Sequence, residues 1–446
     1  MERIDFSFSL KNIPYPSKKA YINLLIAQTE KFIKNLRWRV FFFKNDSPKN
    51  KGENNFGFKS GNSPPPDPEL KPFEDDLRKM IKCIKFAQNN QPNDEFQKML
   101  KTEMTKIKSD KRIIIPADKT HNWYFIEPKE YEQILRNNVT NLYKIAEPDK
   151  LIKANAEAKE ISKYYGIEDR ANRYDEKTCF ISAKDHKENF ESSPTYRLIN
   201  PACPHLGKAS KLMLDKINAN IRQKCNVNQW RSSEDTIKWF VNLEKSQKPM
   251  KFIKLDIEGY YPAISEELLT NALNWADQFN NICEVERTTI LNARKTFLFL
   301  KGETWSKRGK AESFDIPQGC HDGAECSDLV GLFMLNKVRE TMNNQLISYG
   351  LYRDDFLAVA KGNGSEIERM KKQIIAIFKK EGLKLVCESA PSDKTDFLDI
   401  CFDLTNRRYK PYKKMNDQLV YINKNSNHPP NIIKQLPNMI RDRIKS

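Results

Sequence analysis

Hydrophobic and polar positions recur with two different periods along this chain of 446 residues. Residues 19–44, KAYINLLIAQTEKFIKNLRWRVFFFK, combine apolar positions at helical spacing with an aromatic run. That pattern predicts one helix and then an extended piece. Asn, Gly, Ser and the Pro64-Pro65-Pro66-Asp67-Pro68 run then break the pattern, which marks 45–68 as a linker. Apolar positions return every three or four residues over 70–110, as helices require. KRIIIPADK is a β-branched run ended by Pro116, which predicts a buried strand. Helix is expected again over 151–165, with short strands around Thr178–Ala183 and Tyr196–Asn200.

From 251 the alternation sharpens. KFIKLDI reads as a strand, and Ser265-Glu266-Glu267 opens a helix with acidic residues in its first turn. GAECSDLVGLFMLNKVRETM is a second helix, apolar through its middle. LISYGLYRDDFLAVAK reads as two strands joined at Arg353-Asp354. Ser365 and Glu368 suit a capping box for IERMKKQIIAIFKK, with Gly382 at its stop. Strand, helix, helix, hairpin, helix and strand in that order predict an α+β fold, an antiparallel sheet with helices on one face.

Composition narrows the class. Hydrophobic residues are 39% of the chain, enough for a packed core, and no stretch reaches the 18 to 20 apolar residues of a membrane span. The start, MERIDFSFSL, has no apolar core of a secretory signal, so an intracellular chain without a membrane partner is expected. Nine scattered Cys without a CxxC pair argue against a disulfide framework or a zinc ribbon. Cys320-His321 with Cys326 come nearest to metal-ligand spacing, and reduced thiols are the better reading. The net charge of +17 sits at the ends. Residues 1–60 hold 12 Lys/Arg against 5 Asp/Glu, and residues 406–446 hold ten against two, including Arg407, Arg408, Lys410, Lys413 and Lys414. Such ends suit phosphate backbones.

Two acidic sites stand among apolar residues. Asp256 ends Phe252-Ile253-Lys254-Leu255, and Asp354-Asp355 lie between Leu351-Tyr352 and Phe356-Leu357. Each alone reads as an ordinary turn aspartate. Together they can converge on two Mg²⁺ ions about 3.5–4 Å apart, a site for in-line phosphoryl displacement.

These residues resemble reverse transcriptases. Asp256-Ile257-Glu258-Gly259-Tyr260-Tyr261 resembles motif A, Pro317-Gln318-Gly319 motif B, and Tyr352-Arg353-Asp354-Asp355 the Tyr-x-Asp-Asp box of motif C. Flanking segments resemble the Penelope-like retroelements, relatives of telomerase. Ile115-Pro116-Ala117-Asp118-Lys119 resembles their first fingers motif, Lys184-Asp185-His186-Lys187 their Pro-Lys-x-His-Lys box, Tyr196-Arg197-Leu198-Ile199 their Arg-Pro-Ile-Val segment, and Asn427-His428-Pro429 the start of their thumb. The resemblance spans roughly 110–446. After Gln318-Gly319 this chain departs from the pattern, with Cys320-His321-Asp322-Gly323-Ala324-Glu325 replacing the usual small residues.

The resemblance implies a right-hand polymerase. A basic arm and linker would occupy 1–68, a helical part and fingers 69–250, the palm 251–405, and the start of an incomplete basic thumb 406–446. It implies an RNA-directed DNA polymerase that extends a primer 3′-hydroxyl with dNTPs. Asp256, Asp354, Asp355 and the Ile257 carbonyl would hold two Mg²⁺, with Mn²⁺ able to substitute. Lys119 and Arg197 would clamp the triphosphate, Gln318 would pack on the incoming nucleotide, and Tyr261 would block a 2′-hydroxyl, with the neighbouring Tyr260 competing for that role. Lys384 would protonate pyrophosphate, with Lys394 competing. Lys184, Lys187, Arg407, Arg408, Lys410, Lys413 and Lys414 would contact the RNA template, DNA primer or RNA–DNA duplex. A retroelement enzyme is expected in the nucleus, with its endonuclease separate or missing. The alternative is a decayed or domesticated copy that binds RNA or DNA without polymerising; the intact aspartates favour the enzyme. An RNA-dependent RNA polymerase shares the carboxylates, and an aromatic at 261 favours deoxynucleotides.

Overall fold

The computed structural model describes residues 1–4, 11–45, 56–58, 62–84, 95–171, 174–187, 189–244, 246, 248–309, 313–342, 345–387, 389–412 and 422–445. They fall into two compact units, one of residues 1–131, 183–194 and 418–446, the other of 132–182 and 195–417.

In the first unit, strands β1 (Glu2–Arg3), β2 (Ile113–Pro116) and β3 (Trp123–Ile126) form an antiparallel sheet in the order β1-β3-β2. Ile4, Ile107 and Phe125 pack together beneath it. The strand expected to be buried is only half so: of β2, Ile115 alone is buried. Helices α1 (Lys18–Lys44), α2 (Lys71–Lys82) and α3 (Glu95–Ser109) precede β2. The extended piece expected after the first helix does not form, and α1 runs through Phe43. Its aromatics sit three and four residues apart, so Trp38 stacks on Phe42 and meets Phe41 edge-on, contacts that favour continued helix. The last helix, Pro430–Lys445, belongs to this unit, and its apolar residues Ile432 and Met439 are exposed.

The second unit is built on a five-stranded sheet. Its strands are β4 (Asn228–Gln229), β5 (Met250–Ile257), β6 (Leu346–Tyr352), β7 (Asp355–Lys361) and β8 (Leu385–Cys387), in the order β8-β5-β7-β6-β4. All neighbours are antiparallel except β6 and β4. Leu255, Phe356 and Ala358 face one side, where Phe356 meets Phe378 of helix α8 (Gly364–Lys380). Helices α4 (Gly207–Lys224), α6 (Glu266–Asp277) and α7 (Gly323–Met342) complete the helical layer, with α7 packed on both α4 and α6. The opposite face, expected to carry no helix, is covered at one end by α5 (Ser233–Val241). Trp239 and Phe240 of α5 join Phe252, Leu357, Val359, Phe397 and Phe402 in one cluster. The Trp and Phe rings have enough area to close that face where the sheet would otherwise be wet.

The short strands form as Phe180–Ala183 and Tyr196–Ile199, and Ser265 caps α6 as expected. The capping box of α8 lies two residues earlier than expected: Asn363 accepts from the Glu366 amide and Glu366 returns the bond. Asn caps as well as Ser, so two adjacent boxes competed in the sequence.

Candidate active site

Strand pairing brings the acidic residues together. Asp256 on β5 lies directly opposite Asp355 on β7. Opposite residues of an antiparallel pair project from the same face, so the two half-buried carboxylates stand side by side. The β6–β7 turn is Arg353-Asp354. The Ile257 amide donates to the Asp354 carbonyl at 2.9 Å, which ties the turn to the strand that bears Asp256. The next row of this face, Lys254 and Leu357, leads into the aromatic cluster. One end of the face is therefore closed by rings and the other ends in carboxylates.

The turn is strained and held. Arg353 has φ +54°, unusual for a residue with a side chain. Its guanidinium donates to the Ala324 carbonyl at 2.9 Å and to Asp328 Oδ1 at 2.5 Å. Arg222 of α4 donates to Asp328 Oδ2 at 2.8 Å and to Gln229. Burial pushes the Asp328 carboxyl up, against the pull of Arg353 and Arg222. Sequence reading missed this brace. Its only signal was a charged residue inside the apolar run of α7.

Gly259 leads into a short helical turn, Tyr260–Ala263. Tyr260 is fully buried and its hydroxyl donates to the Ser327 carbonyl at 2.7 Å. Tyr261 is half-buried, and burial pushes its phenol up. Tyr260 is thus a core residue, and the partly open ring belongs to Tyr261.

The loop Pro317-Gln318-Gly319 packs against the end of the strand that bears Arg197. A Cβ on Gly319, whose φ is +107°, would lie 3.1 Å from the Asn200 carbonyl. The Gln318 side-chain oxygen is buried and has no hydrogen-bond partner among the described residues. The unusual residues that follow are explained. Asp322 and Arg294 are both fully buried and form an ion pair; Ser210 Oγ donates to Asp322 Oδ2 at 2.5 Å, and Arg294 donates to Cys320 Sγ at 3.3 Å. Lys211 pairs with Glu325. Among the described residues Cys320 and Cys326 are free thiols, and burial pushes both up. The buried guanidinium of Arg294 lies against Cys320, and Cys326 Sγ lies 3.9 Å from Asp322 Oδ2 of the same ion pair.

Lys384 lies beside the carboxylate end of β5: the Glu258 amide donates to its carbonyl at 2.9 Å, and its ammonium pairs with Glu258 at 2.5 Å. Lys394 is held in an exposed pair with Asp403. Arg408 and Lys410 are exposed on the strand Arg408–Pro411, which pairs with Ile400–Asp403. Arg407 instead donates to the Leu243 carbonyl. Lys413 and Lys414 lie outside the described residues. Lys119, Lys184 and Lys187 are in the first unit, and every other candidate described is in the second.

Among the described residues no three His, Cys, Asp or Glu side chains are gathered into a ready-made metal cage. The strands supply two facing carboxylates, with Asp354 adjacent. That donor set fits Mg²⁺, which takes one or two carboxylates and completes its shell with water and substrate phosphates.

No protein-family profile matches the chain, and no curated protein matches it. Among solved structures it is similar to apo telomerase from Candida tropicalis, at 10% identity and a TM-score of 0.49, over 71% of this chain and 60% of that one. It is similar to telomerase from Candida albicans in complex with a TWJ fragment of telomeric RNA, at 11% identity and 0.47, over 76% and 59%. An RNA-dependent RNA polymerase, vp4, matches at 9% identity and 0.38, over 79% and 36%. The chain spans about three-fifths of the length of the telomerase chains it matches. Among the described residues no helix is long and apolar enough to cross a membrane.

Proposed function

We propose that the chain is an RNA-directed DNA polymerase, a reverse transcriptase of a Penelope-like retroelement related to telomerase. The observation that carries this reading is the register that sets Asp256 opposite Asp355, with Asp354 tied by its carbonyl to Ile257. Like charges placed opposite one another destabilise a sheet, and a shared divalent cation offsets that cost. The sequence order of motifs A, B and C supports the same reading. On it, 69–250 form a helical part and the fingers, 251–405 the palm, and 406–446 begin the thumb.

Asp256, Asp354, Asp355 and the Ile257 carbonyl would hold two Mg²⁺, or Mn²⁺ in their place. Bound there, the ions would lower the pKa of the attacking 3′-hydroxyl and stabilise the pyrophosphate leaving group. The chain's own residues do the positioning. The brace of Arg353, Asp328 and Arg222 fixes the turn that carries Asp354. Tyr261 crowds the sugar 2′ position, Gln318 lies against the incoming nucleotide, and Arg197 attracts the triphosphate. Lys384, beside Glu258, delivers a proton to pyrophosphate. The substrates are an RNA template, a DNA primer and dNTPs, and the site of action is the nucleus.

Primer extension on an RNA template with Mg²⁺, dNTPs compared with rNTPs, tests the proposal. Extension with dNTPs and loss on chelation are expected. Preferential use of rNTPs makes the chain an RNA polymerase, and binding of primer–template without extension makes it a non-catalytic copy.

A further inference from the structure

Two loops of the first unit are joined through one carboxylate. Asp185 Oδ2 accepts three hydrogen bonds: from Thr120 Oγ1 at 2.6 Å, Asn122 Nδ2 at 2.7 Å and Tyr124 OH at 2.9 Å. Thr120 and Asn122 are in the β2–β3 loop, which is closed by the Ala117 amide donating to the Asn122 carbonyl. Asp185 is in the Lys184–Lys187 turn, closed by the Lys187 amide on the Lys184 carbonyl. The Asp118 amide donates to the Ala183 carbonyl at 2.8 Å, a second stitch between the loops. Lys119 is therefore one residue from both stitches, and Lys184 adjoins both from the other side. Lys119, His121, His186 and Lys187 are exposed, and Lys184 is half-buried.

We infer that Asp185 is a positioning residue that unites Lys119, Lys184 and Lys187 into one polyphosphate-binding ledge. Sequence reading assigned Lys119 to a nucleotide and Lys184 and Lys187 to nucleic acid; the stitched loops make them a single surface. Its ligand chemistry is closely spaced phosphate oxygens, either a nucleoside triphosphate or a nucleic-acid backbone. A carboxylate among lysines lowers their attraction for anions, so its place there needs another reason. It has one, because its three bonds go to neutral donors that order the lysine-bearing loops. Preordering matters because each mobile side chain that a ligand must immobilise weakens binding. The phosphate-binding inference stands without the polymerase reading; its assignment to dNTP rests on that reading.

The test titrates inorganic tripolyphosphate into the full chain by calorimetry. Lys119→Ala with Lys187→Ala should weaken binding strongly. Asp185→Ala should weaken it about tenfold, the cost of immobilising two freed lysines. Asp185→Asn keeps an acceptor oxygen for the three donors and should bind within a few-fold of the parent. Tyr124→Phe, which removes one bond and preserves packing, should show a smaller loss and serves if Asp185→Ala misfolds by circular dichroism. A charge that merely repels anions predicts the reverse, tighter binding by Asp185→Ala and no change in Tyr124→Phe, and that result overturns the inference. Two further arms identify the ligand. A raised KM for dNTP with unchanged kcat in Asp185→Ala assigns the ledge to the triphosphate. A flatter salt dependence of duplex affinity assigns it to the backbone. Loss in neither arm overturns the inference. Loss of tripolyphosphate binding by the variants in a chain that never polymerises leaves the ledge standing and removes the polymerase reading.

Discussion

Asp322 and the Asp256–Asp355 pair are both carboxylates set in apolar parts of the second unit, and they are handled in opposite ways. Asp322 is fully buried and fully answered, by Arg294 and by Ser210. Asp256 and Asp355 are half-buried and face each other. A buried acid with its own cation is part of the architecture, because removal of either partner strands a charge. Two acids brought together by strand register each have another acid, not a cation, as the residue directly opposite. The location of a charge in an apolar run does not distinguish the two cases. The sign of its neighbour does.

The largest expected effect breaks the comparison most directly. Asp354→Asn should reduce primer extension by roughly a thousandfold or more, the several kcal/mol a catalytic metal supplies. Affinity for primer–template, read by a filter or anisotropy assay, should hold. Asp355→Asn should behave alike in activity and, because it relieves a like-charge pair, leave stability unchanged or raised by about 0.2–1 kcal/mol. Extension within a few-fold of the parent removes the metal-site assignment. Asp322→Ala is the counterpart. It strands Arg294 in the core and should lower unfolding free energy by about 3–5 kcal/mol, measured by urea denaturation. If Asp322→Ala leaves stability intact and Asp355→Asn collapses it, the roles are reversed.

Tyr260 and Tyr261 repeat the contrast on a smaller scale. Tyr260→Ala removes a buried ring and should cost about 3–5 kcal/mol. Tyr261→Ala should cost much less and admit ribonucleotides, read as the ratio of rNTP to dNTP kcat/KM. Discrimination lost in Tyr260→Ala alone moves the gate by one residue.

Much of this was legible in the sequence, and the reasons differ by element. The β6–β7 hairpin and the strand that bears Asp256 announced themselves through alternation broken by acids, a local signal. The register that sets Asp256 opposite Asp355 was not readable, because pairing between strands about a hundred residues apart leaves no mark in either strand. The partner of Asp322 was equally hidden, since Arg294 is 28 residues away in a loop. The Cys320–Glu325 departure therefore read as an anomaly until its ion pair was seen. The end of α1 differs from the expectation because Phe41, Phe42 and Phe43 favour strands intrinsically, a preference that the contacts of Phe41 and Phe42 with Trp38 along the helix overrode.

The smallest effect concerns the basic residues past 406. Arg408 and Lys410 are exposed on a paired strand, whereas Arg407 holds the Leu243 carbonyl. Replacing Arg408 and Lys410 by Gln should flatten the salt dependence of duplex affinity by about 0.9 for each phosphate no longer neutralised on B-form DNA. Arg407→Gln should affect stability before affinity. An unchanged slope in the double variant makes these two charges plain solvated surface.

The tail beyond them has a temporal consequence. Ser426 Oγ accepts from the Ile13 amide, the Asn427 amide donates to the Ile13 carbonyl, and Gln97 donates to the Asn425 carbonyl. The first unit thus closes only when residues near 426 reach those near 13, with the second unit's chain emerging from the ribosome between them. Contacts of such sequence separation form late. At 5–20 residues per second the amino-terminal strand and α1 wait roughly 20 to 80 s for their last partners. During that interval the exposed aromatics of α1 are without the unit's final structure, and the nascent chain is most open to chaperones and proteases. Synthesis that halts soon after residue 417 would release the second unit with its strands complete and leave the first without its clasp.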